Sequence, residues 1–298
     1  MIIVDGRTIA QKVLSQIKTG LNGRSISIAA IWAGDPAPSL SADRHSEKGR
    51  AWGGAGNLAI GRFVEMKKKY AESVGIKMII FHFDSSDSEE KIINKIEELS
   101  EDKCISGIIV ELPLPERFDR DKILNLIPKE KDIDVLSTSA QESFYNNGTE
   151  LLPPSVGALK LLFKEYGIDP KGKTVAVFGQ SMLIGKPISH WLEQRGAKVF
   201  RIDEYIPNPK EFSRQADIII SGVGKPNLIK EDMIKGGVVI VDFGFEKLEN
   251  KVTGDVDFDS VAPKSSIITP VPGGMGPIVI AAFLKNAVQI VQNSLPKL

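Results

Sequence analysis

Thr174-Val175-Ala176-Val177-Phe178-Gly179-Gln180-Ser181-Met182-Leu183-Ile184-Gly185-Lys186-Pro187 reads as a buried strand, a tight turn and the start of a helix. Thr174 to Phe178 is β-branched and apolar, and short enough for one strand of a parallel sheet. Gly179 lets the backbone turn sharply, and Gly185 removes the Cβ where the helix must approach a ligand or the sheet. Ser181 adds a hydroxyl and a backbone N–H. Pro187 suits a first helical turn, where its missing N–H costs nothing. Such a turn aims free N–H groups and the positive helix end at one point, which favours an anion such as a pyrophosphate. The pattern is Gly-x-Ser-x-x-x-Gly rather than Gly-x-Gly-x-x-Gly, so an ordinary strand–helix turn remains the alternative at this point.

The sequence after this stretch repeats the alternation. Strands are predicted at Lys198–Ile202, Asp217–Ser221 and Val238–Asp242, with helices at Ile188–Arg195, Pro209–Gln215 and Lys230–Ile234. The sequence before it alternates too. Helices are predicted at Ile9–Ile17, Phe63–Val74, Ser88–Leu99 and Asp121–Ile127, and strands at Ile26–Trp32, Lys77–Phe83 and Ile105–Val110. Ser155–Tyr166 is predicted as a further helix. Glu111-Leu112-Pro113-Leu114-Pro115 halts the last of those strands, because two prolines so close continue neither strand nor helix. Thr269-Pro270-Val271-Pro272-Gly273-Gly274-Met275-Gly276-Pro277 is a second rigid loop, followed by an apolar helix from Ile278 to Val291. Strands alternating with helices imply α/β domains with parallel sheets, whose ligands sit outside the carboxyl ends of the strands. The expected organisation is a first domain over 1–137, completed by 270–298, and a Rossmann-like dinucleotide-binding domain over 138–269. Ser41 to Arg62 is glycine-rich and lacks a Gly-Lys-Ser/Thr ending, so it is read as a flexible surface insertion.

Composition narrows the function classes. The 298 residues are 42% hydrophobic and 26% charged, which fits a packed chain of two domains. A formal net charge of zero argues against nucleic-acid binding by phosphate neutralisation. One cysteine, Cys104, permits no internal disulfide and points to a reducing compartment. The histidines show no zinc spacing. No signal peptide is visible, and no apolar run approaches the roughly 20 residues that span a bilayer. A soluble cytoplasmic protein is the expectation.

Five pieces together resemble one family, the methylenetetrahydrofolate dehydrogenase/cyclohydrolase enzymes of folate one-carbon metabolism. Val110–Pro115 is similar to the family's Val-Gln-Leu-Pro-Leu-Pro, and Pro128–Asp134 resembles its Pro-x-Lys-Asp-Val-Asp-Gly. Gly179–Pro187 resembles Gly-x-Ser-x-x-Val-Gly-x-Pro, and Thr269–Pro277 resembles Thr-Pro-Val-Pro-Gly-Gly-Val-Gly-Pro. Phe63–Lys67 is similar to Tyr-Val-x-x-Lys. The resemblance implies two α/β domains, with the final helix packing back on the first, and a homodimer. It implies oxidation of 5,10-methylenetetrahydrofolate by NADP or NAD, then hydrolysis of the methenyl product to 10-formyltetrahydrofolate. By the same resemblance, Lys67 carries proton transfer, with Glu111, Asp134 and Phe63 beside it as catalytic positions. Asp134 and Phe63 also hold the pterin, with the Pro272-Gly273-Gly274 loop packing on folate. The implied cofactor contacts are Gly179, Gln180, Ser181, Ile184, Gly185, Asp203, Glu204, Gly222, Gly224 and Phe245. No metal is expected.

Taken without the resemblance, these residues have plainer readings. Lys67 lies in the run Lys67-Lys68-Lys69, which is ordinarily a solvated helix face, and Asp132 and Asp134 are ordinarily turn caps. Several residues also depart from the family pattern. Phe63 replaces a tyrosine, Glu111 a glutamine and Val135 a glycine. A carboxylate near Lys67 favours its ammonium form, so a weak or absent cyclohydrolase step is one alternative. A non-catalytic dinucleotide-binding scaffold is another. Gln180 stands where some members have an arginine, and Asp203 and Glu204 follow the second strand roughly 20 residues past the glycines, where an acid accepts from a ribose 2′-OH. These residues favour NAD, whereas the family more often uses NADP.

Overall fold

The computed structural model describes residues 1–21, 23–34, 54–149, 151–248 and 251–294. In chain order its elements begin β1 (Ile2–Ile3), α1 (Gly6–Gly20), β2 (Ile26–Ala33), α2 (Gly54–Ser73), β3 (Ile76–Phe83), α3 (Glu89–Glu101) and β4 (Gly107–Val110). They continue with α4 (Arg120–Asn125), α5 (Thr138–Tyr145), α6 (Pro154–Tyr166), β5 (Thr174–Phe178), α7 (Gly185–Glu193), β6 (Lys198–Ile202), α8 (Pro209–Ser213) and β7 (Ile218–Ser221). The last are β8 (Val238–Asp242), β9 (Glu246–Leu248), β10 (Lys251–Thr253), α9 (Phe258–Val261), β11 (Ser265–Ile268) and α10 (Met275–Asn293).

The chain divides into two compact units, one of Leu14–Leu151 with Leu284–Leu298, the other of Met1–Val13 with Leu152–Phe283. Both are α/β with parallel sheets, as the alternation predicts. The units depart from 1–137 and 138–269 at three places, and two of the departures, at residues 1–13 and 138–151, have a physical reason. β1 pairs with β11, with Ile2 opposite Ile267, which ties the N-terminus into the second unit's sheet. Residues 138–151 include α5, whose buried Ala140 and Phe144 anchor it within the first unit.

The first unit carries a three-stranded sheet in the order β3-β2-β4, parallel throughout. Its central strand β2 is apolar at every position but Ser27 because both faces are covered. α3 begins where Ser88 accepts from the Lys91 N–H and Glu89 and Glu90 oppose the helix dipole, and it buries Ile92, Ile96 and Leu99 at helical spacing. α2 starts nine residues before the predicted Phe63, so residues 54–62 of the supposed insertion are helical. Residues 41–53 of it lie outside the described residues. The glycines explain the error, since each costs a helix interior about 1 kcal/mol against alanine. Gly61 has a packing reason: a Cβ there would come within 3.3 Å of the Trp32 ring.

The second unit carries a six-stranded parallel sheet in the order β1-β11-β8-β7-β5-β6. The chain reverses direction across this sheet beside β5 and β7, the arrangement that leaves a crevice at the carboxyl ends of the strands. Lys230–Ile234 is not an α-helix but a short 3₁₀ turn at Glu231–Met233. An antiparallel pair, β9–β10, lies between β8 and α9. α10 is long and apolar enough to cross a bilayer, but 67% of its most apolar window is buried inside the protein, which identifies a core helix.

Candidate active site

Lys67 sits in the last third of α2 and is 5% exposed; Glu111, one residue past β4, is 6% exposed. Lys69 of the same run is exposed, so the lysines are not one solvated face. The Glu111 N–H bonds Ile31 O at 2.8 Å, carrying the β2–β4 ladder one step further, and Pro113 and Pro115 then end it. That anchorage directs the Glu111 carboxylate to Lys67, whose Nζ donates to Oε1 at 2.7 Å. Lys67 Nζ also lies 5.1 Å from the centre of the Phe63 ring, one helical turn away. Burial on its own lowers the Lys67 ammonium. The Glu111 carboxylate, then Asp134, and the hydrogen bond outweigh it, holding Lys67 above its ordinary value. Burial pushes Asp134 up to about 6, against the attraction of Lys67, with Glu111 and Asp132 adding to the rise. Lys67, Glu111, Asp134 and Phe63 are thus brought together.

The segment bearing Asp134 is held from several sides. Asp132, 1% exposed, accepts at Oδ2 from the Leu136 N–H (3.0 Å), the Ser137 N–H (2.7 Å) and the Ser137 hydroxyl (2.7 Å). Asn286, on the part of α10 within this unit, donates to Ile133 O at 3.0 Å. The Ile133 side chain fills the space a Cβ on Gly107 would need, at 2.9 Å. Val135 is left-handed, with φ 59, and 2% exposed. A β-branched residue there is strained by about 1–2 kcal/mol. Val135→Gly relieves that strain but gives up a buried valine worth about 1.5–3 kcal/mol and adds about 0.5–1 kcal/mol of chain entropy. The losses win, so Val135→Gly is expected to lower stability by about 1–2 kcal/mol, a net of those terms. A urea midpoint unchanged or raised in the variant contradicts this.

The second set of predicted residues lies in the other unit, at the carboxyl ends of β5, β6, β7, β8 and β11. Gly179 has φ 82, and a Cβ on Gly185 would fall 1.7 Å from Gly179 O, so neither position accepts another residue. A Cβ on Gly222 would sit 2.6 Å from Ile184 Cγ2, and one on Gly179 would sit 2.8 Å from Gly222 O. The two turns therefore interlock through bare backbone, with Ser181 Oγ accepting from the Ile184 N–H at 3.3 Å. This is the cradle a dinucleotide pyrophosphate requires: glycine backbone at the start of a helix, at strand carboxyl ends. The residues fit the group. Gln180 folds its amide back onto Val177 O (3.1 Å) and Gly179 O (3.2 Å). Asp203 and Glu204 are exposed just past β6, with Asp203 Oδ1 accepting from the Tyr205 N–H at 3.0 Å. Gly224 follows β7 with φ 75, and Phe245 follows β8 and is 48% exposed. In the last loop Pro272 is exposed and Gly274 buried, and the Gly6 N–H bonds Gly273 O at 3.0 Å.

Three residues around these sites escape the sequence reading: Asn286 beneath Asp134, and Asp242 and Asp255 beneath the β7 turn; Asp132 enters it only as a turn cap. Asp242 and Asp255 are flanked by glycines whose added Cβ atoms would strike the carboxylates, at 2.1 Å for Gly254 on Asp242 and 2.3 Å for Gly244 on Asp255. An Asp-Phe-Gly step at 242–244 and a Gly-Asp step at 254–255 are the signal that marks them.

Residues 55–134 match the family model for the tetrahydrofolate dehydrogenase/cyclohydrolase catalytic domain, and residues 153–295 match that for its NAD(P)-binding domain. The bifunctional protein FolD of Aquifex aeolicus is 36% identical, with 97% of this chain and 94% of that protein covered. That of Campylobacter hominis is 34% identical with both chains fully covered. Among solved structures, the Campylobacter jejuni FolD dehydrogenase/cyclohydrolase superposes with a TM-score of 0.88 at 33% identity, covering 99% of this chain and 100% of that one. The Thermoplasma acidophilum bifunctional enzyme gives 0.85 at 28%, covering 98% of each. With both family models matched and relatives aligned over nearly the whole length, the chain belongs to the tetrahydrofolate dehydrogenase/cyclohydrolase family.

Proposed function

We propose that the chain oxidises 5,10-methylenetetrahydrofolate to the methenyl cation with a nicotinamide dinucleotide, and hydrolyses that cation to 10-formyltetrahydrofolate, with Lys67 moving the protons. The observation that carries the assignment of roles is the buried Lys67–Glu111 pair beside Asp134. In the first step the folate methylene carbon gives up a hydride and becomes cationic. A bound nicotinamide supplies the hydride acceptor. One ammonium among two carboxylates leaves the cluster net negative when all are ionised, which favours the developing cation. Asp134 accepts from adjacent N–H donors of the pterin, as a carboxylate can do in bidentate fashion. In the second step water adds to the cationic carbon, the bond from that carbon to N5 breaks, the added oxygen gives up both its protons to become the formyl carbonyl and N5 takes one, so that one proton is released overall. A single amine within reach serves both transfers, and Lys67 is the amine buried against Glu111. Gly179 to Gly185, with Gly222 and Gly224, hold the dinucleotide. The domain roles follow: folate chemistry in the unit that bears Lys67, dinucleotide binding in the unit that bears Gly179. The same reading includes a soluble, cytoplasmic homodimer.

Glu111 in place of an amide favours the first step over the second. It supplies negative charge for the cation, and it holds the proton on Lys67. Absorbance of the methenyl product, followed through formation and decay, measures both steps. Glu111→Gln is expected to raise hydrolysis at neutral pH several-fold and to move its acid limb to lower pH, because each unit by which the lysine falls gives roughly tenfold more free amine. Hydride transfer is expected to slow. An unchanged ratio of the two rates with an unchanged pH profile rejects the role given to Glu111. Dinucleotide binding with no methenyl formation by the wild type rejects the enzyme reading itself.

A further inference from the structure

The dinucleotide unit buries two carboxylates that the proposed chemistry leaves unused. Asp255 is 1% exposed and Asp242 2%. Among the described residues neither makes an ion pair. Burial pushes Asp242 up to about 7, with the Asp255 carboxylate adding to the rise and three backbone N–H donors opposing it. Two carboxyl groups this close and this dry are costly. Their hydrogen bonds show where that cost is offset.

Asp255 accepts at Oδ2 from the Ser221 hydroxyl (2.7 Å) and the Val223 N–H (2.7 Å), and at Oδ1 from the Lys225 N–H (2.8 Å). All three donors belong to the end of β7 and the turn after it. Asp242, at the end of the neighbouring strand β8, holds the segment that presents Asp255: its Oδ1 accepts from the Gly244 N–H (2.7 Å) and the Asp255 N–H (3.2 Å), and its Oδ2 from the Val256 N–H (3.0 Å). Thr269, after β11, accepts the Asp242 N–H on its hydroxyl at 2.7 Å. Three strand ends are thereby tied to one turn, Gly222–Lys225. That turn is the one whose Gly222 meets Ile184 and whose carbonyl meets Gly179.

We propose that Asp255 is a positioning residue for the dinucleotide: its carboxylate fixes the Gly222–Lys225 turn against the Gly179 turn, and affinity for the cofactor depends on it. The inference rests on the dinucleotide-binding reading of this unit. Charge-assisted bonds to a carboxylate are about twice as strong as neutral ones, and a buried turn that loses them is free to rotate its peptide planes. An amide at position 255 accepts at one oxygen only and turns an N–H toward a donor.

The test is titration of NADH into the full-length wild type and the Asp255→Asn protein, read by nicotinamide fluorescence. Hydrolysis of supplied methenyltetrahydrofolate, which consumes no dinucleotide, is measured on the same samples as the gauge of folded protein. The expected result is a Kd at least tenfold weaker in Asp255→Asn when concentrations are scaled to that gauge. Ser221→Ala removes one of the three donors without burying a new group, and a two- to threefold weakening is expected. It decides the matter if Asp255→Asn does not fold. An unchanged Kd in whichever variants fold overturns the proposal. So does a fall in binding capacity that tracks the hydrolysis rate at constant Kd, since that is a structural role alone. Absence of NADH and NADPH binding by the wild type overturns the underlying dinucleotide reading instead, and is recognised before any variant is compared.

Discussion

Lys67→Gln is expected to slow hydrolysis of the methenyl compound by about 100-fold or more, the loss typical of removing a positioned general acid–base group, while hydride transfer falls far less. The asymmetry follows from the chemistry of the two steps. Hydride transfer moves no proton through the protein and needs two rings aligned. Hydrolysis needs two protons removed from the added oxygen and one delivered to nitrogen. The Lys67 amine stands in the buried cluster that holds Asp134, paired at 2.7 Å with Glu111. Removing it also leaves Glu111 and Asp134 without their cation. Breaking a buried pair by deleting one partner costs about 3–5 kcal/mol, so the variant is expected to be less stable, with Asp134 shifting further toward its protonated form. Glutamine limits that loss because its amide still donates to Glu111. Both rates are therefore measured on protein shown by urea titration to be folded under assay conditions. Equal losses in the two steps, or hydrolysis retained within a few-fold, contradict the assignment of Lys67.

How far this site is legible in sequence depends on which physical signal each part leaves. Strand β5 and its turn are legible because β-branched runs, glycine and proline act locally, and the structure has Gly179 and Gly185 where no side chain fits. Glu111 is legible as a strand-end residue because the prolines after it halt any regular element. The burial of Lys67 is not legible from its neighbours, since three lysines in a row have the composition of a solvated face. What decides it is the partner 44 residues away, and only the motif pattern points there. The start of α2 is hidden for the opposite reason: local helix propensity is poor at Gly54, Gly56 and Gly61, and Gly61 is glycine to fit against Trp32. Asp132, Asp242 and Asp255 look like ordinary turn residues because aspartate is common in turns. Their importance lies in being buried while bonding several backbone N–H groups at once, a property of the folded chain. Asn286 lies in an apolar helix, and its bond to Ile133 O spans 153 positions. No local window contains that relation.

The wild type is expected to use NAD at least roughly 30-fold more efficiently than NADP, a ratio set by repulsion between the 2′-phosphate and nearby carboxylates that weakens as salt is added. Three observations lead there. Asp203 and Glu204 are both exposed immediately past β6, where the ribose of a cofactor on the Gly179 turn is received. Gln180 spends its amide N–H groups on Val177 O and Gly179 O and so offers no donor outward from them. Arg201, the nearest cation in sequence, is engaged by Glu193 through Nε at 3.1 Å and Nη2 at 2.8 Å. A ribose hydroxyl can donate to Asp203, whereas a phosphate of about two negative charges meets two carboxylates and no free guanidinium. Asp203→Ser removes one charge and keeps a hydroxyl. It is expected to lower kcat/KM for NAD and raise it for NADP, narrowing the ratio to within a few-fold. The effect belongs to KM rather than kcat, because the 2′ position is remote from the nicotinamide carbon that takes the hydride. The ratio should also shrink in the wild type as ionic strength rises toward about 1 M, where the screening length falls to about 3 Å. Equal use of both cofactors by the wild type at low salt contradicts the placement of Asp203 and Glu204. A salt-independent preference for NAD contradicts the electrostatic account and leaves hydrogen bonding by Asp203 as the source of discrimination.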